Sequence, residues 1–327
     1  MGRLERSWYR DGWLARVLAP VGWLYCALAA ARRRAYQAGR YRRWRAPVPV
    51  IVVGNITVGG TGKTPLVIGL AELLAHAGYR PGIVSRGYGG AAAGQPHWVG
   101  QDSRPDQVGD EPVLLAARTR RPVVVGRDRP AAVRYLLAQG GCDVVLSDDG
   151  LQHYPLERDV EIAVVDGGRR LGNGRCLPAG PLREPAERLQ EVDFTVANGA
   201  AGPGEIPMRL VGDELHGVSD PRRHRTLHAL AGTPVHAVAG IGHPGRFFDE
   251  LRARGLEVQE HPFPDHHHFR AADLEFGDEL PVVMTEKDAV KCRPFARPGH
   301  WYLPVRAVLP EDFGERLLAR LERKGNG

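Results

Sequence analysis

Residues 47–74 of the sequence read PVPVIVVGNITVGGTGKTPLVIGLAELL. The apolar, β-branched run Val48–Val53 predicts a buried strand, and the spacing of the leucines after residue 65 predicts a helix. A glycine-rich loop ending in Lys63 and Thr64 lies between them. A strand, a glycine-rich loop and a helix in this order are typical of a P-loop, in which backbone N–H groups and a helix N-terminus face bound phosphates.

The loop therefore predicts a nucleotide-binding site made by Gly59, Gly60, Thr61, Gly62, Lys63 and Thr64. Lys63 would reach the β- and γ-phosphate oxygens, and the Thr64 hydroxyl would hold Mg²⁺. Thr57 stands where the strict motif has glycine, and Val58 stands where the related K-G-G-x-G-K-[ST] loops have lysine. The alternative is a glycine-rich turn that binds nothing.

Composition is that of a soluble globular protein, with 43% hydrophobic and 25% charged residues, and 327 residues suffice for two domains. Four cysteines are scattered without a C-x-x-C pair, so we expect neither a disulfide framework nor a zinc site, as in a reducing compartment.

The net charge of +6 belongs to one end of the chain, since residues 1–48 hold eleven arginines against only Glu5 and Asp11. Within this region, the apolar stretch 13–31 is rich in aromatic residues and precedes an arginine cluster. These features favour an amphipathic anchor at a membrane lipid surface. A secretory signal, a spanning helix and a helix packed on the protein's own core remain alternatives. Nucleic acid is not the expected partner, because the aromatic residues lie mostly among aliphatic ones.

From Pro49 onward, short apolar strands alternate with helical segments, which predicts an α/β fold with a mainly parallel sheet. We expect an N-terminal helix and basic arm (residues 1–48), a P-loop core (49–207), a linker (208–218) and a smaller C-terminal α/β domain (219–327). The second α/β segment has no glycine loop with Lys-Thr, so we expect a single nucleotide site.

Two pairs of acidic residues lie at the ends of predicted structural elements. Asp148 and Asp149 end an apolar strand, where P-loop proteins hold Mg²⁺, although such acids also occur in turns and helix caps. Asp110 and Glu111 lie at a loop-to-helix junction, where the alternatives are a capping role and a base or metal-linked carboxylate beside the phosphates.

A histidine-rich segment and several arginines complete the candidate residues. Asp265 and His266 could form an acid–imidazole pair that relays a proton, although a solvated loop is the alternative. Arginines at predicted strand ends could form an anion-binding wall, although each alone is typical of a surface. The candidates for acceptor binding are Arg86, Tyr88, Arg129 and Arg183.

In this light the sequence resembles the tetraacyldisaccharide 4′-kinase family, inner-membrane lipid A kinases of Gram-negative bacteria. The segments that carry the resemblance occur in the family's order over most of the chain: GNITVGGTGKTP (54–65), SRGYGG (85–90), GDEP (109–112), VGRDR (125–129), SDDGLQHY (147–154), LPAGPLREP (177–185), FPDHHHF (263–269) and TEKDAVK (285–291). The main local departure is a third histidine, His268, where proline is expected.

The resemblance implies transfer of the ATP γ-phosphate to the 4′-hydroxyl of an acylated glucosamine disaccharide 1-phosphate, at the cytoplasmic face of the inner membrane. It implies ATP and Mg²⁺ as cofactors and no obligate protein partner. The family's proton-accepting Asp–His pair would be Asp110 and His266, with His266 raising the basicity of Asp110. Its metal-linked acids would be Glu111, Asp148 and Asp149.

Two other functions remain open at this level. One is a membrane-tethered P-loop switch ATPase that acts through a partner protein, and the other is a membrane-tethered module that binds nucleotide without transferring phosphate. The first predicts hydrolysis stimulated by a protein partner. The second predicts tight nucleotide binding and no turnover.

Overall fold

Two β-sheets organise the chain in the computed structural model, which describes residues 3–9, 12–87, 90, 94–100 and 102–325. The first sheet has nine strands: β1 (Val50–Gly54), β2 (Pro81–Ser85), β3 (His97–Trp98), β4 (Val123–Val125), β5 (Val144–Asp148), β6 (Val160–Asp166), β7 (Phe194–Asn198), β8 (Ile206–Val211) and β15 (Arg306–Val308). The second has six: β9 (Glu214–Gly217), β10 (His224–Thr226), β11 (Pro234–Ala239), β12 (Glu257–Pro262), β13 (Val282–Thr285) and β14 (His300–Leu303).

The helices of the described ranges are α1 (Arg3–Trp8), α2 (Trp13–Val17), α3 (Ala19–Gln37), α4 (Lys63–His76), α5 (Pro105–Val108), α6 (Asp110–Thr119), α7 (Arg129–Gly140), α8 (Pro244–Ala253), α9 (Glu286–Cys292) and α10 (Asp312–Gly325). Short 3₁₀ segments cover Ala186–Gln190, Leu227–Leu230, Ala271–Leu274 and Arg293–Phe295.

Strand order in the first sheet is β15-β8-β7-β6-β1-β5-β2-β4-β3, and all pairs are parallel except those of the two edge strands, β15 and β3. The predicted mainly parallel α/β fold is therefore confirmed. Val53 of β1 pairs in register with Asp148 of β5, so the two strands end side by side. This register brings the glycine-rich loop and the paired acids to one edge of the sheet, where open α/β sheets bind ligands.

Apolar residues cover both faces of the first sheet, as its uninterrupted hydrophobic strands require. One core packs α4, α6 and α10 against the sheet, and the other packs α7 together with residues of the N-terminal arm such as Trp44. On α10 the buried residues Phe313, Leu317 and Leu321 recur every four positions, so one helical face lies against the sheet.

The second sheet has the order β10-β9-β14-β13-β11-β12, with a parallel set of four strands and antiparallel β9 and β10. The boundaries between the two sheets differ from the domain boundaries expected from sequence. Only Gly212 and Asp213 separate β8 of the first sheet from β9 of the second, and the expected linker is mostly strand. The chain then returns after β14, so that β15 and α10 belong to the first sheet rather than to a C-terminal domain.

The N-terminal helices lie against the first sheet's flank with one face and leave the other in solvent. On the inner face, the Trp8 Nε1–H donates to the Pro178 carbonyl (3.0 Å), and buried Arg33 pairs with Glu191 (2.8 Å). On the outer face, Trp13 and Trp23 are 74% and 69% exposed. The predicted anchor stretch is interrupted at Leu18, between α2 and α3. Within the described part of the chain, no helix combines the length and the apolar character needed to cross a bilayer.

A disulfide joins Cys26 of α3 to Cys176, with 5.6 Å between the two Cα atoms. The expectation of no disulfide is wrong for this pair, because residues 150 positions apart in sequence meet where α3 packs on the loop at residues 176–182. Cys142 and Cys292 are buried as free thiols.

Replacing Phe313 tests whether the C-terminal helix is part of the first core. Phe313 is 1% exposed and meets the Phe194 ring edge-on, with 5.5 Å between centroids. We expect Phe313→Ala to lower the free energy of unfolding by about 3–5 kcal/mol in chemical denaturation, because it leaves a cavity. Glu322→Ala, on the exposed side of the same helix, should change it by less than about 0.5 kcal/mol. Equal effects of the two substitutions would contradict this packing.

Candidate active site

The glycine-rich loop is held in the conformation that the motif predicts, between β1 and α4. Gly62 precedes α4 with φ 94°, and a Cβ there would lie 2.5 Å from the Asn198 side chain, so both backbone and space require glycine. The Lys63 ammonium donates to Asn55 (3.2 Å) and lies 3.5 Å from Asp149. The loop therefore places a lysine and the first N–H groups of a helix at the end of β1, as a phosphate cradle requires.

The second sheet closes directly on this loop through Gly242, which follows β11. A Cβ on Gly242 would lie 2.8 Å from the Gly60 nitrogen, so only glycine allows the approach. The Arg169 guanidinium donates to the carbonyls of Gly60 (2.8 Å) and Gly242 (3.4 Å) and so bridges the two segments. Neither Arg169 nor Gly242 is predicted from the sequence as a site residue, because neither stands in a pattern that indicates contact with the loop.

Asp148 and Asp149 lie beside the loop in contrasting environments. Asp148 accepts a hydrogen bond from the Ser85 hydroxyl (3.1 Å), while its other oxygen is buried without a partner. Burial and the carboxylates of Glu111 and Asp149 raise the pKa of Asp148 to about 7. Burial acts in the same direction on Asp149, but Lys63 and Arg183 reverse it and hold the pKa of Asp149 well below its usual range.

The four predicted metal-binding residues only partly converge. Glu111 accepts from Lys287 (3.1 Å), and Asp149 accepts from Arg183 with both oxygens (3.1 Å each). In the described part of the chain, no three His, Cys, Asp or Glu side chains form a metal-holding group as they stand. The set of donors nevertheless fits a hard divalent cation. Thr64, Asp148 and the ion-paired carboxylates Glu111 and Asp149 offer oxygen ligands, and one Asp148 oxygen lacks a hydrogen-bond partner.

His266, on the loop after β12, meets Asp110 at the first turn of α6. Its Nδ1 lies 3.2 and 3.1 Å from the two Asp110 carboxylate oxygens, whereas its Nε2 is 3.8 Å from Asp265. His266 therefore hydrogen-bonds to Asp110, as the resemblance implies, whereas its side-chain contact with Asp265 is a longer ion pair. Since an ionised carboxylate only accepts hydrogen bonds, Nδ1 carries the hydrogen.

The pKa shifts of the two residues run opposite to what the resemblance implies, which is that His266 raises the basicity of Asp110. Burial would raise the pKa of Asp110, but the hydrogen bond from His266 and the cations Lys287 and Lys291 lower it to about 2. The hydrogen bond to Asp110 raises the pKa of His266 above its usual value. His266 thus lowers the basicity of Asp110, and the imidazole is the more basic member of the pair. It is also the more accessible one, with its side chain 25% exposed against 5% for Asp110.

Backbone strain marks two of these residues. Asp149 and His266 have φ values of 47° and 59°, in the left-handed region that side chains other than glycine rarely adopt. Such conformations cost about 1–3 kcal/mol and cluster at functional sites, where the surrounding structure holds them.

The predicted arginine wall is only partly formed. Arg86 is exposed after β2, and Arg183 lies against Asp149. Arg129 is 2% exposed, and its guanidinium donates to the carbonyls of Gly126 (2.7 Å) and Asp148 (2.8 Å). Arg129 is therefore wrongly predicted to contact an acceptor, because it is buried and ties the ends of β4 and β5 together. Tyr88 lies outside the described residues.

A phosphate cradle, a cluster of oxygen ligands and an Asp–His pair at one sheet edge define the class of P-loop phosphotransferases. Comparison with known proteins then gives the family. Residues 14–322 match the tetraacyldisaccharide-1-P 4′-kinase family, and the chain belongs to it.

Relatives support this assignment along nearly their whole length. The chain is 52% identical to the tetraacyldisaccharide 4′-kinase of Methylobacillus flagellatus (98% of this chain, 96% of that one). It is 55% identical to that of Xanthomonas euvesicatoria pv. vesicatoria (94% and 92%). A crystal structure of a family member from Aquifex aeolicus, determined in complex with ATP, superposes with a TM-score of 0.78 at 29% identity (95% and 99%).

The polarised pair makes a prediction for the titration of His266. Nuclear magnetic resonance of ¹³C-labelled histidine, with His266→Gln for assignment, should give a pKa above 6.5. Asp110→Asn should lower it, because the anionic acceptor is lost while Lys287 and Lys291 remain. Asp273→Asn is the matched control, since Asp273 pairs with His267 (3.1 Å) instead. An unchanged pKa in Asp110→Asn would contradict the geometry.

Proposed function

We propose that this chain transfers the γ-phosphoryl group of ATP to the 4′-hydroxyl of a tetraacylated glucosamine disaccharide 1-phosphate, forming lipid IVA in lipid A biosynthesis. The observation that carries the proposal is the Asp110–His266 pair, which the second sheet brings to the phosphate loop of the first. A switch ATPase has no need of a base for an acceptor alcohol, whereas a kinase does. Family membership supports the same reaction.

ATP would bind with its phosphates on the glycine-rich loop, where the α4 N-terminus and Lys63 stabilise negative charge. Phosphoryl transfer depends mainly on positioning and charge stabilisation, and this loop supplies both. The contact of Gly242 with Gly60 would also bring the second sheet against the bound phosphates.

Mg²⁺ would be held by Thr64, Asp148 and Asp149, with Glu111 available once it leaves Lys287. Such an ion supplies charge neutralisation on the phosphate oxygens. The partnerless Asp148 oxygen and the raised pKa of Asp148 support this assignment, because a cation would relieve the repulsion among these carboxylates.

The acceptor proton would pass to the Asp110–His266 pair. The hydroxyl O–H bond breaks as its oxygen bonds to the γ-phosphorus and ADP leaves, and the proton comes to rest on the imidazole. Asp110 keeps its negative charge and stabilises the imidazolium. Arg86 and Arg183 would bind the acceptor phosphate, and Arg183 would first have to leave Asp149.

Transfer from γ-labelled ATP to tetraacyldisaccharide 1-phosphate, in detergent with Mg²⁺, tests the reaction. We expect labelled lipid from the wild type, a loss of about 100-fold or more in kcat for Lys63→Ala, and a loss of 100-fold or more for Asp110→Ala. Asp106→Ala, an exposed acid on the preceding helix α5, should behave as wild type. Phosphate released without labelled lipid would instead indicate a switch ATPase, and bound nucleotide without turnover would indicate a binding module.

The N-terminal helices support a second part of the proposal, that the protein works on an anionic lipid surface, at the cytoplasmic face of the inner membrane. The exposed apolar side chains of α2 and α3 recur three or four positions apart along one face: Trp13, Val17, Val21, Leu24 and Leu28. Exposed arginines follow within the next residues, among them Arg34, Arg40 and Arg42. An apolar stripe with adjacent positive charge suits an interfacial helix.

Cosedimentation with phosphatidylglycerol-containing vesicles tests this surface. Because insertion of each large apolar side chain into the bilayer contributes about 1.5–3 kcal/mol, the triple variant Trp13→Ser, Leu24→Ser, Leu28→Ser should lose at least tenfold in vesicle affinity. Tyr135→Ser, an exposed aromatic residue on α7, serves as control and should bind as wild type. Equal binding by the triple variant and the wild type would exclude these helices as the anchor.

A further inference from the structure

Helix α9 presents two lysines to the active site, although neither has a part in the reaction described above. Lys287 and Lys291 lie four positions apart and so share one helical face. That face looks toward Asp110, whose carboxylate is 3.9 Å from the Lys287 ammonium and 3.8 Å from that of Lys291. The segment TEKDAVK therefore contributes to the site from the second sheet.

The surroundings of Lys287 distinguish it from its neighbour. Its ammonium lies 3.1 Å from Glu111 of α6 and 3.2 Å from Asp265, the residue before His266. Lys291 is instead held by Asp288 of its own helix at 2.8 Å. One partly buried cation thus connects the N-terminus of α6 to the loop that carries His266.

The location of Lys287 is unfavourable for a cation unless these carboxylates compensate it. It is the second residue of α9, where the helix dipole disfavours positive charge, and its side chain is only 16% exposed. Three carboxylates facing one another without this ammonium would repel. The cation and the acids therefore depend on each other.

We propose that Lys287 is a positioning residue for phosphoryl transfer. It fixes the Asp265–His266 loop against the start of α6, so that the imidazole meets Asp110 in the geometry needed for proton transfer. This inference rests on the proposed kinase function and adds a residue to it. Lys287 acts through His266 and does not itself contact the acceptor.

The same two helices offer a matched control. Arg118 of α6 pairs with Glu286 of α9 at 2.6 Å, one residue away from Lys287 along the chain. This pair also joins the two sheets but touches none of the site residues described above. If the contacts between α9 and α6 only hold the two sheets together, replacing Arg118 or Lys287 should have the same effect on kcat. If Lys287 positions His266, only its replacement should lower kcat.

Steady-state kinetics of the lipid-labelling reaction test the inference in the full chain. We expect Lys287→Met to lower kcat by about 10- to 100-fold, as misplacement of a catalytic group by an ångström does, with the KM for ATP changed less than threefold. Lys287→Arg should recover most of the loss. Arg118→Met should keep kcat within about twofold of wild type. In a His266→Gln background, Lys287→Met should cause little further loss of kcat, because Lys287 acts through His266.

Three results would overturn the inference. Wild-type kcat in Lys287→Met would show that the cation does not matter, and equal losses in Arg118→Met would show general adhesion. If the loss of kcat in the double variant equals the product of the Lys287→Met and His266→Gln losses, Lys287 acts separately from His266. If Lys287→Met fails to fold, as judged by its thermal transition, Lys287→Gln carries the same comparisons. A wild-type protein that labels no lipid would refute the proposed function itself, a result that these variants cannot imitate.

Discussion

The hydrogen bond between His266 and Asp110 is the interaction around which the two sheets are arranged. The partners are 156 residues apart, one on a loop of the second sheet and the other at the start of a helix packed on the first. Proton transfer needs both sheets, because the first sheet carries the phosphate loop and the second carries the imidazole. The contact of Gly242 with Gly60 and the ion pairs of α9 hold the sheets at the separation that this bond needs.

Charge compensation explains how so many acids lie together at one edge. Each of the paired acids except Asp148 has a cationic partner: Lys63 and Arg183 for Asp149, Lys287 for Glu111, and Lys287 and Lys291 for Asp110. Asp148 keeps a buried oxygen without a hydrogen-bond partner and has its pKa raised to about 7. This arrangement suits a site that is completed by a metal–nucleotide complex, because the unpaired Asp148 oxygen is available to bind the metal ion.

Local patterns predicted those parts of the protein that depend on neighbouring residues in sequence. The strand, loop and helix around Lys63 were evident because a P-loop is a contiguous motif, and the parallel sheet followed from its apolar strands. The Asp110–His266 pair came only from family resemblance, since no local rule joins residues so far apart. Lys287 and Gly242 were missed for the same reason. Arg129 was misread because a sequence shows where an arginine stands but not that its guanidinium is buried against carbonyls.

The return of the chain to its first sheet has a consequence for biosynthesis. The edge strand β15 and helix α10 lie in the last 22 residues, yet they cover the core that begins with β1. A chain emerging from the ribosome N-terminus first therefore exposes one apolar flank of its nucleotide-binding sheet until β15 and α10 have been synthesised. The second sheet, whose strands are contiguous in sequence between residues 214 and 303, can close earlier. The first core is thereby completed only after the second sheet has been synthesised.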